Sequence, residues 1–179
     1  ADRAHIDIVE TNRRGNTSSS RKTRLKAVCA ETAAFYHQQL MRNPASDAAN
    51  ARAYLAGRGF GGEVPKTWQL GFAPGRGQLV RHLSAQGFKA EEMVEANVAL
   101  KGDGGRLRDR FFNRIMFPIN DPQGECIAFG GRVIGKGEPK YLNSQETPLF
   151  HKSQVLYGMD KAKAAMASSG IAIVTEGYT

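Results

Sequence analysis

The stretch RIMFPINDPQGECIAFGGR, residues 114–132, decides the fold. Two β-type runs, 115–119 and 126–129, flank Asp121-Pro122-Gln123-Gly124. Asp at the first turn position can accept a backbone N–H from its own turn. Pro at the second presets φ, and Gly at the fourth completes the preference for a type I turn. The spacing therefore predicts a β-hairpin. Pro118 has no N–H to give a ladder, so its strand is predicted to be an edge or to bulge there.

Upstream, the pattern changes from period two to helical. Between Lys22 and Asn43 the apolar positions Leu25, Val28, Cys29, Phe35, Tyr36 and Leu40 share one helical face, and Pro44 follows. Ser46 or Asp47 can cap a second helix that stops at Gly57. A helical turn is expected near 63–68, an extended piece at 70–74, and short helices near 78–86 and 90–95. The predicted fold class is α+β, a helical part followed by a small antiparallel sheet. Residues 1–21, rich in Arg, Asn and Ser, read as a flexible basic linker with little to bury.

Downstream of the hairpin come a cationic loop, a helix near 160–167 ended by Gly170, and the apolar run 171–175. A continuously apolar run suits a parallel strand buried on both faces. The chain begins without Met and stops just past this run, and it reads as a piece of something longer.

Charge points to a partner. The net charge is +8 and the pI about 9.7, a balance that suits phosphates. The excess lies in residues 1–26 (seven bases, three acids) and 101–152 (nine and six), while 27–100 is nearly balanced (seven and six). The balanced middle is therefore expected to be structural. With 41% hydrophobic residues the chain is globular. No run reaches the ~20 apolar residues of a membrane span, and a cytoplasmic location is expected. Cys29 and Cys126 show no CxxC spacing and read as reduced thiols. The four His residues lack metal-ligand spacing.

Three stretches could carry chemistry. Arg106–Arg114 interleaves arginines with Phe111 and Phe112, which suits phosphate binding and base stacking, or simply a solvated approach to a strand. In 129–144, Gly130-Gly131 permits close approach, Arg132 offers a planar fork, and Lys140 and Tyr141 follow; a β-bulge beside a solvated face is the plainer alternative. Glu176 ends the apolar run, where ligands gather in open α/β sheets. It could hold Mg²⁺, exchange a proton, or simply sit at a helix N-terminus.

Taken in order, the blocks RIMFPIND, IAFGGR, PKYLNSQETPLFHK, LYG and VTEGY resemble the bacterial DnaG-type primase over about 109–179. Residues 22–100 resemble its helical start more weakly, with Gly71-Phe72-Ala73-Pro74 as the anchor. The resemblance implies a primase core basic subdomain over 22–152 and the start of a Toprim domain over 153–179. It implies a nucleotidyltransferase that makes RNA primers on single-stranded DNA from ribonucleoside triphosphates. Arg110, Arg114, Arg132, Lys140 and Lys152 fall on the family's basic groove positions, with Tyr141 and Asn143 in the same motif. Glu176 falls on the first Toprim acid, a metal ligand for Mg²⁺ or Mn²⁺ and a proposed acid/base. Zinc belongs to an amino-terminal domain and a replicative helicase contact to a carboxy-terminal one, neither in this chain.

The family's further Toprim acids are also outside this sequence, and two-metal phosphoryl transfer needs several carboxylates. The chain alone, expected to be monomeric, is therefore expected to bind without polymerising. Two alternatives stand beside this reading: a non-catalytic module that binds single-stranded nucleic acid, and another Toprim enzyme such as a topoisomerase. A P-loop is excluded, since no GxxxxGK[ST] occurs.

Overall fold

The computed structural model describes residues 13–177, with side chains from residue 18 onward. Helices α1 (Arg13–Arg42), α2 (Ser46–Gly57) and α3 (Val64–Thr67) lead into strand β1 (Gly71–Ala73). Then come α4 (Gln78–Ala85), α5 (Ala90–Glu95) and the strands β2 (Ala99–Lys101) and β3 (Leu107–Asp109). The hairpin β4 (Arg114–Asn120) and β5 (Cys126–Val133), strand β6 (Tyr141–Asn143) and helix α6 (Met159–Ser169) complete the order. The antiparallel sheet runs β1-β4-β5-β6, and β2 and β3 pair separately. The α+β expectation holds.

The predicted hairpin forms. Asp121 Oδ1 accepts the N–H groups of Gln123 and Glu125, so the turn is closed by the residue expected to close it. Lys26 of α1 pairs with both Asp121 and Glu125 and ties the turn to the long helix. Pro118 lies opposite Phe129, whose N–H and C=O both bond to Ser144 on the far side. The pair thus makes no ladder bonds, and the missing N–H of Pro118 faces the β1 side. There β1 has already ended, since it pairs only with 114–116. The register also shifts between Ile119 and Asn120. A strand central to the sheet is therefore an edge where its proline sits.

Helices cover both faces of the sheet, which explains why β4 is apolar without alternation. Met116 and Phe129 on one face join Leu25, Val28, Cys29 and Tyr36 of α1. Phe72, Ile115 and Phe117 on the other join Leu40 and Ala48, Ala51 and Leu55 of α2. A strand's successive side chains point to opposite faces, so both sets must be apolar. Both cysteines are free. Burial pushes the Cys29 thiol up to about 12.

Two expectations are corrected. Residues 13–21, read as linker, continue α1. Once the apolar stripe has nucleated the helix, each further residue costs little. Ion pairs add to this: Arg21 meets Glu95, and Arg24 meets Glu92 of α5 through two bonds of 2.8 and 2.9 Å. Residues 1–12 lie outside the described residues. The run 171–175 is not a strand here, and Ile173 is 86% exposed. A strand apolar on both faces needs strands beside it, and no strand pairs with it among the described residues.

Glu92 also accepts the Lys89 N–H at the start of α5. Its bonds with Arg24 hold its carboxyl at about 2, below its ordinary 4.5. A depressed folded value means stability present above the unfolded value and lost as pH falls through the folded one. Unfolding midpoints should therefore fall between pH about 4.5 and about 2, and Glu92→Gln should flatten that slope. The pair lies at the surface, with the Arg24 side chain 46% exposed, so solvent screening should keep the effect small. Urea unfolding of both proteins across this range measures it.

Candidate nucleic-acid interface

At the end of the hairpin the sheet is arranged around arginines. Gly131 lies beside Arg114 on one face, and a Cβ there would meet Arg114 Cδ at 3.1 Å and Phe111 at 3.3 Å. The missing side chain leaves the space through which Arg114 passes. Arg114 is only 2% exposed, and its guanidinium donates to the backbone carbonyls of Pro139 (2.8 Å), Gly131 and Lys140 (both 3.4 Å). It therefore gathers the loop 134–140 onto the sheet end instead of facing solvent. Val133 N–H donates to the same Lys140 carbonyl and reinforces this.

On the opposite face Arg132 is 8% exposed. It donates to Tyr141 Oη across the β5–β6 pair, and its guanidinium carbon lies 5.0 Å from the Tyr141 ring centroid and 5.3 Å from that of Tyr54. Arg58, one helical turn after Tyr54, lies 5.9 Å from the Tyr54 ring. Lys140 lies 6.0 Å from the Tyr141 ring. The result is an alternating ladder: Arg58, Tyr54, Arg132, Tyr141, Lys140. Cations at such distances are attracted by ring quadrupoles. Here they hold one another in a row, with Tyr141 42% exposed.

Arg110 donates to the carbonyl of Asn143 (3.1 Å) and lies 5.6 Å from the Phe111 ring. Burial lowers the pKa of both Arg110 and Arg114 from the usual guanidinium value. Among the described residues neither these two nor Arg132 makes an ion pair with a carboxylate. The Nε atoms of all three are buried without a partner among the described residues. Desolvated cations with no counter-charge are costly, and the backbone carbonyls that Arg110 and Arg114 reach offset part of that cost.

Other sequence-selected residues lie apart from this row. Lys152 begins a 3-10 turn, Lys152–Gln154, and its N–H donates to Glu146, which also bonds His151. Those bonds lower the Glu146 carboxyl from its ordinary value. Glu176 lies exposed on the segment after α6. Among the described residues no three of His, Cys, Asp and Glu come together as metal ligands. Glu176 alone does not fit a divalent cation. Tyr54 and Arg58 were not singled out from the sequence, although their i, i+4 spacing puts them on one helix face.

Residues 35–163 match the family model described as DNA primase catalytic core, N-terminal domain. The chain belongs to this family. The DNA primase of Pseudomonas aeruginosa is 42% identical over 183 residues, covering 99% of this chain and 27% of the relative. The RNA polymerase domain of Mycobacterium tuberculosis primase DnaG, solved in complex with double-stranded DNA, is 39% identical with a TM-score of 0.81. That match covers 87% of this chain and 49% of the other. A DnaG primase catalytic domain bound to single-stranded DNA is 38% identical with a TM-score of 0.73, covering 82% and 47%. The chain thus spans about a quarter of the first relative's length. In this primase core the cationic loop, the Tyr141 motif and the hairpin form one connected unit, with α2 supplying its outer edge.

Proposed function

We propose that this chain is the subdomain of a primase that binds single-stranded template and incoming ribonucleoside triphosphate. The observation that carries the reading is the row of cations alternating with aromatic rings at one end of the sheet, none of them paired with a carboxylate among the described residues. Phosphates would lie along Lys140 and Arg58, and the exposed ring of Tyr141 would take a base or ribose. Arg114 and Arg110 would act beneath this surface by fixing the backbone of the loop and of β6. In the whole protein the reaction would be nucleotidyl transfer: a 3′-hydroxyl attacks the α-phosphate, and pyrophosphate leaves. This chain's share is to hold the strand and the triphosphate in register, since fixed geometry removes much of the entropic barrier.

Lys140→Ala and Arg58→Ala should each reduce the slope of log K against log salt for single-stranded DNA by about 0.7. Salt titrations of fluorescence anisotropy measure this, and slopes equal to wild type would reject the track. The chain alone should bind without extending a primer, because one carboxylate cannot clamp the ions such a transfer needs. Primer synthesis by purified 1–179 would contradict that.

A further inference from the structure

Beyond the cation ladder, one aromatic ring is out of place. Phe111 is fully buried, while its neighbour Phe112 is 62% exposed. The exposure does not come from a loose backbone. Asn113, at φ +48°, exchanges two bonds with Ile134: its carbonyl accepts the Ile134 N–H, and its Nδ2 donates to the Ile134 carbonyl. On the other side Gly75 runs so close that a Cβ there would fall 2.5 Å from Phe112 Cβ. Arg76 follows at φ +58°, its carbonyl held by Arg81. Phe112, Arg76, Asn113, Pro74 and Asp47 line a concavity of about 360 Å³.

We infer that this concavity is a binding site for one unpaired nucleobase, stacked on Phe112 with Arg76 beside it. The inference rests on the nucleic-acid reading above. The chemistry matches each part of a nucleotide. The ring supplies a π-face, which every base can stack on. The Arg76 guanidinium suits a phosphate or a stacked plane. The Asp47 carboxylate can accept from a base N–H, either an exocyclic amine or the N3–H of thymine, and Asn113 Oδ1 adds a second acceptor. The site adjoins the cation ladder through Ile134, two residues from Arg132, so a strand on the ladder can reach it.

The test uses this chain, a single-stranded oligothymidylate, and an abasic oligomer of equal length that keeps the phosphates and lacks the bases. Phe112→Ala should weaken oligothymidylate binding about 5- to 150-fold, the range of one lost base stack. The salt slope should not change, because no phosphate contact is lost. The melting temperature should hold, because the ring lies outside the core. Binding of the abasic oligomer should be equal in wild type and variant, and Phe112→Trp should keep the affinity for oligothymidylate. Wild-type affinity in Phe112→Ala, or an equal loss on both oligomers, would overturn the inference. Failure of the underlying reading looks different: a flat salt dependence in wild type, with no response to Lys140→Ala, overturns both.

Discussion

Replacing Gly71 by Ala should destabilise the fold by about 3 kcal/mol and lower the melting temperature by roughly 10 °C. A Cβ at this position would lie 2.5 Å from Tyr36 Cβ, 2.8 Å from the Tyr36 carbonyl carbon and 3.1 Å from the His37 nitrogen. Carbon atoms pack best at roughly 3.5–4.0 Å. Two of the three obstacles are helix backbone, so no rotamer change relieves them. α1 would have to retreat from β1. That retreat would loosen the edge-on contact of Tyr36 with Phe129 at 5.8 Å and the His37 bond to the Leu70 carbonyl at 2.8 Å. Gly57→Ala is the matched control. It ends α2 with nothing within 4 Å of its position, so Ala there should be neutral or stabilise by up to about 1 kcal/mol. Thermal unfolding of both variants decides; equal melting points would mean that α1 does not press on β1 as described.

Arg114→Ala should be comparably severe, by about 2–4 kcal/mol. It leaves the carbonyls of Gly131, Pro139 and Lys140 without their shared donor and opens a cavity beside Phe111. The loop 134–140 should lose its anchor, seen as faster amide exchange at Val133, whose N–H donates to Lys140. Affinity for single-stranded DNA should fall with the salt slope unchanged, because Arg114 shapes the loop and touches no phosphate. Arg114→Lys should not restore it, since an ammonium cannot reach several carbonyls in one plane. A slope reduced by about 0.7 together with rescue by Lys would make Arg114 a direct phosphate ligand instead.

The parts legible in the sequence were those with local causes. Asp121-Pro122-Gln123-Gly124 specifies its own turn, and the apolar face of 25–40 specifies its own helix. The start of α1 was hidden because residues 13–21 show no apolar face. They are helical through propagation and through the pairing of Arg21 with Glu95 of α5, 74 residues away. The run 171–175 carries a strand pattern but finds no paired strand among the described residues. Arg110, Arg114 and Arg132 were legible as a cationic group. Their division into a buried pair that shapes backbone and one that faces Tyr54 and Tyr141 depends on pleat and register, which composition does not encode. Tyr54 and Arg58 join the row only through the packing of α2 on the sheet. The role of Asp109 is hidden in the sequence for a similar reason. Its carboxylate accepts the Val80 N–H and caps α4 from a distant strand, while burial raises its pKa from the ordinary value.

The central claim is that nucleic acid lies along the cation ladder at the sheet end. The direct measurement is a backbone amide chemical-shift titration of the ¹⁵N-labelled chain with a single-stranded oligonucleotide. The account predicts that the largest shifts fall on Tyr54, Arg58, Arg132, Lys140 and Tyr141, with Ile134 and Asn113 following. Shifts concentrated instead on the outer face of α1, around Lys22, Ala30, Ala34 and Arg42, would contradict it.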